Sequence, residues 1–176
     1  LTGIQGFSEL LCEQAWGPEE VKEYATDITT DVKRLTRMIN EVLDLERMKA
    51  GQAPLVSEPV DLNALLKDLA AHTQPLIPKQ RITCILDDAL PLIQGNRDQM
   101  IQVLSNLLSN AVKYSPDGGA IVLSSQCTQD SVQISVQDQG IGIPEEAQKD
   151  IFLPYNRITA EQTRYIAGTG LGLAVV

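Results

Sequence analysis

Three stretches carry residue types and spacings that suit a bound ligand. In Asn106-Leu-Leu-Ser-Asn-Ala-Val-Lys-Tyr-Ser-Pro116, Asn106 and Asn110 lie one helical turn apart and Lys113 falls on the next turn. Two carboxamides and an ammonium therefore point the same way. A merely solvated face would be built more cheaply from Gln or Glu, because an asparagine side chain competes for backbone hydrogen bonds inside a helix. In Asp138-Gln-Gly-Ile-Gly142 a carboxylate follows directly on a strand pattern. It can accept a hydrogen bond from an exocyclic amine such as that of adenine, and the glycines let the backbone turn tightly against a ligand. In Gly168-Thr-Gly-Leu-Gly172 closely spaced glycines precede a helix. They present bare N–H groups and the positive end of the helix dipole, which suits phosphates. Taken singly, the three stretches also read as a solvated polar face, a β-turn and a flexible hinge. The last is neither a P-loop, since no Lys-Ser/Thr follows, nor a dinucleotide fingerprint, since no strand leads straight into it.

The elements that must position these residues follow from periodicity. A helix starting near Asp98 places Met100, Val103, Leu104, Leu107, Leu108 and Ala111 on one apolar stripe. Gln99, Gln102, Asn106, Asn110 and Lys113 fall on the other face, and Ser115-Pro-Asp-Gly-Gly119 stops the helix. Ala120–Ser125 and Val132–Gln137 alternate as a strand pair joined around Gln129-Asp130, and the glycine-rich loop Asp138–Pro144 follows. Glu145–Phe152 reads as a short helix begun after Pro144. Leu153–Ala167 has little apolar periodicity and reads as a mobile segment, after which Gly168 opens a final helix. Upstream, residues 55–60 form a short strand, Asp61 caps a helix over Leu62–Ala71, Arg81–Leu86 alternates toward a strand, and Pro91–Ile93 is short and apolar. Helices and strands so mixed predict an α+β two-layer sandwich.

The amino-terminal part differs. Leu1, Ile4, Phe7, Leu10 and Leu11 keep helical spacing until Ala15-Trp-Gly-Pro18 breaks it. A long helix then runs from about Glu19 to Ala50. Val21, Ile28, Leu35 and Val42 lie seven apart, with Tyr24, Asp31, Met38 and Leu45 beside them, a heptad seam that Asp31 interrupts and Val32 patches. Two such helices make an antiparallel hairpin too thin to bury its own seam. It is expected to pair with a second copy as a four-helix bundle, or, for its first helix, to pack on the rest of its own chain. Gly51 caps the long helix and Gly51-Gln-Ala-Pro54 reads as a linker. The expected domains are therefore 1–52, a helical hairpin, and 53–176, the α+β sandwich.

Composition narrows the function. Of 176 residues, 43% are hydrophobic and no run approaches a membrane span. The start, Leu1-Thr-Gly-Ile, lacks a basic n-region, and without an initiator Met it reads as a fragment. A net charge of −9 with no basic cluster argues against a nucleic-acid surface. It also requires that any polyanion be held locally, by a metal, backbone N–H groups and a few cations. Cys12, Cys84 and Cys127 fit neither a zinc motif nor a disulfide framework, so reduced cytoplasmic thiols are expected.

In their fixed order, the three stretches resemble the N, G1 and G2 boxes of the ATP-binding domain of sensor histidine kinases, within the wider group that includes type II topoisomerase, chaperone and mismatch-repair ATPases. Ile151-Phe-Leu-Pro-Tyr-Asn-Arg157 resembles the F box, matching at Phe152, Pro154 and Arg157. The forms Asn-x-x-x-Asn-Ala-x-Lys-Tyr and Gly-Thr-Gly-Leu-Gly-Leu point to the kinases within that group. Leu1-Thr-Gly-Ile-Gln-Gly-Phe-Ser-Glu-Leu-Leu11 is similar to the segment just after the family's phosphoacceptor box, so the resemblance covers nearly the whole chain.

The resemblance implies a two-component kinase core that binds ATP and Mg²⁺. Through it, Asn110 is assigned to Mg²⁺, Asn106 and Lys113 to phosphates, Tyr114 to the pocket lining and Asp138 to the adenine amine. Gly140 and Gly142 would shape the pocket floor. Gly168, Thr169, Gly170, Leu171 and Gly172 would close over the phosphates, with 153–167 as a lid and Arg157 as a further phosphate contact or an exposed structural arginine. Implied partners are a response regulator receiver domain and a second copy of the chain. Asn96 stands where the family usually has an acidic residue, and Leu153 and Asn156 replace its acidic and aromatic F-box residues. The acceptor histidine is expected upstream of Leu1. The one histidine, His72, matches no acceptor box, so this fragment is expected to bind ATP·Mg²⁺ without phosphorylating itself. A degenerate kinase that uses nucleotide occupancy to set the hairpin, and a serine kinase or ATPase of the same group, are the alternatives.

Overall fold

The computed structural model of the protein describes residues 2–13, 16–49, 57–157 and 168–176. The chain divides into two compact units, Leu1–Gly51 and Gln52–Val176.

The first unit is the expected hairpin of α1 (Thr2–Glu13) and α2 (Pro18–Lys49). Phe7 stacks on Tyr24 at 5.7 Å and Gly3 faces Asp31, so partners fall along α2 as they rise along α1, and the helices are antiparallel. Trp16 closes the turn, edge-on to Tyr24 at 5.2 Å with its indole N–H donating to Leu10 O at 2.7 Å. Ile28, Leu35 and Val42 are half-buried along the seam. Val32 does not patch it, being 45% exposed. Asp31 keeps its place in the seam instead, and Gly3 makes the room: a Cβ there would lie 2.5 Å from Asp31 Oδ2. Ile39 and Leu43 remain open to solvent.

The second unit is a two-layer α+β sandwich. Its elements are β1 (Glu58–Val60), α3 (Leu62–Thr73), β2 (Gln80–Ile85), β3 (Ile93–Gly95), α4 (Arg97–Lys113), β4 (Gly119–Cys127) and β5 (Val132–Gln137). Asp61 Oδ1 accepts from Ala64 N at 2.9 Å and starts α3, as a carboxylate N-cap should. β2 and β4 pair in parallel, Ile82 opposite Ile121, with α4 in the crossover between them; β4 and β5 pair antiparallel, Leu123 opposite Val136. β1 and β3 form a separate antiparallel pair. Burial alternates along β4, where Ile121, Leu123 and Ser125 turn inward. Leu62, Leu65 and Leu66 of α3 and Leu104, Leu108 and Ala111 of α4 cover that face. Leu66, Ile121 and Leu123 are essentially sealed, each worth about 1.5–3 kcal/mol on burial.

A polar network ties α3 to the strand ends. Asn63 Nδ2 donates to Asp87 O (2.8 Å), Ser125 Oγ donates to Asn63 Oδ1 (2.7 Å), and Asp87 N donates to Ser125 Oγ (3.0 Å). The N–H of Cys127, then that of Ala89, hold the Asp87 carboxyl below the usual carboxylate range. A carboxyl that titrates lower when folded stabilises fully above its unfolded pKa, and the contribution is lost as pH falls through the folded value. Asp87→Asn should therefore melt lower at neutral pH and show a flatter acid limb between roughly pH 5 and pH 2. Parallel acid limbs in thermal melts of variant and wild type would contradict this. Burial pushes the Cys84 thiol up, which leaves it unreactive, and the three cysteines are free.

Two sequence expectations need correction. Glu145–Phe152 is not a helix: one 3₁₀ turn, Glu145–Ala147, leads into turns closed by three-residue bonds such as Asp150 N to Ala147 O. Only Ala147 and Ile151 are half-buried there, so no apolar stripe stabilises a longer helix. Beyond Gly168 the described chain forms a 3₁₀ turn, Gly172–Val175, rather than an α-helix, pinned by buried Leu171 and Val175. Most of the segment read as mobile, 158–167, lies outside the described residues. No helix among the described residues is long and apolar enough to cross a membrane.

Candidate functional site

The polar face of α4 is the base of the candidate site. Asn96 starts the helix, its Oδ1 accepting from Gln99 N at 3.0 Å. Asn caps as well as Asp, so the departure noted at this position costs the helix nothing. Leu104, Leu108 and Ala111 anchor the opposite side in the core. Asn106, Asn110 and Lys113 are half-buried rather than solvated, and the 168–172 loop lies against Asn106 and Lys113.

Asn106 Nδ2 donates to Gly172 O at 3.1 Å, across 66 residues. A Cβ on Gly168 would lie 2.5 Å from Lys113 Nζ, so the ammonium sits where a side chain would otherwise be. Lys113 Nζ also lies 5.0 Å from the centre of the Tyr114 ring. Asn110 lies between these two contacts in sequence, and among the described residues its side chain makes no hydrogen bond. Gly170, at φ +74°, backs onto Tyr155, whose N–H donates to Gly170 O at 2.9 Å. Leu171 is buried, its N–H accepted by Thr169 Oγ1 at 3.2 Å, so this leucine seats the loop in the core.

The other loop is pinned at the end of α4. Ile141 N donates to Tyr114 O at 3.0 Å, and a Cβ on Gly140 would run into that same carbonyl. Asp138 is exposed at the end of β5, and its Oδ1 accepts from Gly140 N at 2.8 Å. Among the described residues its other oxygen accepts no hydrogen bond. Gly142, at φ +71°, has open space around it. Arg157 is exposed at the end of the turn that carries Tyr155.

The structure therefore brings Asn106, Lys113, Tyr114, Gly140, Gly168 and Gly172 together around α4 and sets Asp138 at the rim. It adds Gln139, which the spacing of the motifs did not single out: its Oε1 accepts from Ala120 N at 2.9 Å and ties the Asp138 loop to β4. No sequence signal marks a glutamine for such a bond. An open cavity of 170 Å³ lies between residues 115–118 and 139–141, beside Gly140 and not on the Asn106–Lys113 face.

Comparison with known proteins finds relatives for both units. Residues 95–176 match the family model for histidine kinase-, DNA gyrase B- and HSP90-like ATPases, and residues 1–51 match that for the His Kinase A (phospho-acceptor) domain. The circadian input-output histidine kinase CikA of Synechococcus elongatus is 33% identical over 99% of this chain, which spans 24% of that protein. The chain covers about a quarter of the length of the curated relatives it matches first. Among solved structures, full-length ShkA in complex with AMPPNP superposes with a TM-score of 0.72 at 26% identity, covering 99% of this chain and 36% of that one. Histidine kinase ThkA in complex with the response regulator protein TrrA gives 0.68 at 28% identity, covering 89% of this chain and 46% of that one. Both units, in the order hairpin then ATPase-type sandwich, thus find the same relatives, and the chain belongs to the sensor histidine kinases of two-component systems.

Proposed function

We propose that this chain binds ATP with Mg²⁺ on the polar face of α4, as the catalytic part of a protein-histidine kinase. The observation that carries the reading is the seating of the 168–172 glycine loop on that face, with Asn106 bonded to Gly172 O and Lys113 beside Gly168, while the Asp138 loop is pinned to Tyr114 O at the end of the same helix. ATP would supply the γ-phosphoryl group, and Mg²⁺ held by Asn110 would supply positive charge against its phosphates.

The donor set fits such an ion. Among the described residues no three His, Cys, Asp or Glu side chains gather as a metal cage. A Mg²⁺ ion that keeps several waters and shares phosphate oxygens needs only one or two protein ligands, and Asn110 offers an unused amide oxygen. Asn106 and Lys113 hold the phosphates, Lys113 as a point charge in a chain of net charge −9. Tyr114 lines the ring pocket and Asp138 accepts from the exocyclic amine. Gly140 and Gly142 let the backbone approach the ring, and Gly168, Thr169, Gly170, Leu171 and Gly172 form the phosphate loop, with Arg157 as a further contact. Catalysis here is positioning and charge neutralisation more than covalent chemistry.

In the whole protein, a histidine imidazole of the phosphoacceptor helix attacks the γ-phosphorus and ADP leaves. The phosphoryl group then passes to an aspartate of a response regulator receiver domain. The relative solved with its response regulator supports this, as do the open apolar residues Val32, Ile39 and Leu43 of α2 for pairing with a second copy. Residues 1–52 would be the dimerisation domain and 53–176 the catalytic domain. His72 is no acceptor in this scheme. It is exposed near the end of α3, with Nδ1 2.7 Å from Asp68 O.

Calorimetry with ATP and Mg²⁺ tests the site, and saturable binding that weakens when EDTA removes the metal is expected. Incubation with γ-labelled ATP should put no acid-labile phosphate on this chain. Absence of ATP binding would overturn the assignment of the site, and label on His72 would overturn its exclusion.

A further inference from the structure

Lys113 and Tyr114 occupy the end of α4, where backbone carbonyls run out of intrahelical donors. Val112 O accepts from Ser115 N at 3.3 Å, and Ser115 O, just past the helix, from Gly118 N at 3.1 Å; both take a further donor from one side chain more than thirty residues away. Gln80 Nε2 lies 2.8 Å from Ser115 O and 3.4 Å from Val112 O. Gln80 is the first residue of β2 and is 9% exposed. Its own place is set by a second glutamine: Gln74 Nε2 donates to Gln80 O at 2.9 Å, and Gln74 Oε1 accepts from Ile82 N at 2.7 Å. On the other side of the same turn, Tyr114 O accepts from Ile141 N. Ser115 Oγ is buried with no partner among the described residues, so it is the Ser115 carbonyl that ties this turn to β2.

We propose that Gln80 is a positioning residue for the nucleotide site: by donating to Val112 O and Ser115 O it fixes the backbone that aims Lys113 and Tyr114. This rests on the reading of the α4 face as an ATP·Mg²⁺ site. A neutral amide suits the task. It satisfies two carbonyls in a buried place without adding a charge behind Lys113. Without it the turn keeps only its local backbone bonds and loses this tie to β2, and a shift of about half an ångström in the turn moves the ammonium off its phosphate. The helix end is thus held between the Gln80 amide and the Ile141 N–H, with the two ligand-facing side chains between them.

The test is calorimetry with ATP and Mg²⁺ on the whole chain, well below each variant's melting temperature. Gln80→Leu, which keeps the volume and removes the donor, should weaken binding about tenfold. The loss should shrink in a Lys113→Ala background, because a positioning effect needs the residue it positions. Gln80→Lys should recover most of the affinity, since an ammonium can donate to helix C-terminal carbonyls. Should Gln80→Leu not fold, Gln80→Lys against Gln80→Glu separates donor from acceptor, with the glutamate the weaker binder. Unchanged affinity in folded Gln80→Leu, an equal loss with and without Lys113, or equal binding by the Lys and Glu variants would each overturn the proposal. A wild-type chain that binds no ATP·Mg²⁺ would instead overturn the site itself, and the proposal with it.

Discussion

Asn110→Ala is expected to lower affinity for ATP·Mg²⁺ on the order of a hundredfold while leaving the fold intact. The two effects separate because of where Asn110 sits. It is half-buried in the interior of α4, and its amide makes no hydrogen bond among the described residues. Alanine there removes no side-chain hydrogen bond among the described residues and improves helix propensity by about 0.7 kcal/mol, so the melting temperature should hold or rise. A residue that weakens the helix and whose side chain makes no hydrogen bond among the described residues fits a side chain kept for a ligand. The measurement is calorimetry with ATP in the presence of Mg²⁺ and of EDTA. The variant should behave in Mg²⁺ as the wild type does in EDTA. If its Mg²⁺-dependent affinity matches the wild type, Asn110 has no part in holding the ion.

The second large effect concerns backbone, not ligand. Gly140→Ala should destabilise the sandwich by on the order of 3 kcal/mol, a fall of about 10 °C in melting temperature for a unit of this size. A Cβ at residue 140 collides with the Tyr114 carbonyl and lies 2.9 Å from Asp138 Oδ1. Neither side can yield cheaply. Tyr114 N is bonded back to Asn110 O at 2.9 Å, and the following Ser115 carbonyl is held by Gln80. The loop would have to give up the Ile141 N to Tyr114 O bond, and ATP binding should go with it. Gly142→Ala makes the comparison: its Cβ meets open space, and only the left-handed backbone at φ +71° resists, costing about 1–2 kcal/mol. Thermal melts in which the two variants fall equally would mean that the Gly140–Tyr114 approach does not limit the loop.

Much of this arrangement was legible because it is periodic. The heptads of the long helix, the stripe of α4 and the alternation of β4 and β5 each bury one face, and burial of a face leaves its spacing in the sequence. The Asp61 cap was readable for a similar reason, since a helix start draws on few residue types, whereas the helix expected from near Asp98 starts at an Asn96 cap. The turns over 145–156 misled because Pro144 and two glutamates look like a helix start. Whether that start propagates depends on an apolar stripe, and the segment has only Ala147 and Ile151 to bury.

What the sequence by itself determined is the inventory and order of the parts: a helical hairpin, an α+β sandwich, a costly polar helix face and two glycine loops after it. Local chemistry is enough for that, because caps, periods and glycine spacings act within a turn or a strand. Only the tertiary structure decided that the second of these loops comes to that face and the first to the end of the same helix. The Asn106–Gly172 bond spans 66 residues, and Gly168 makes room for the Lys113 ammonium. It alone decided that Asp31 keeps its place in the seam opposite Gly3, and that Gln80 carries the end of α4. These are contacts between segments whose separation in the chain carries no periodic trace. The last of them exists because a parallel β2–β4 pairing and its crossover bring the first residue of one strand beside the last turn of a helix.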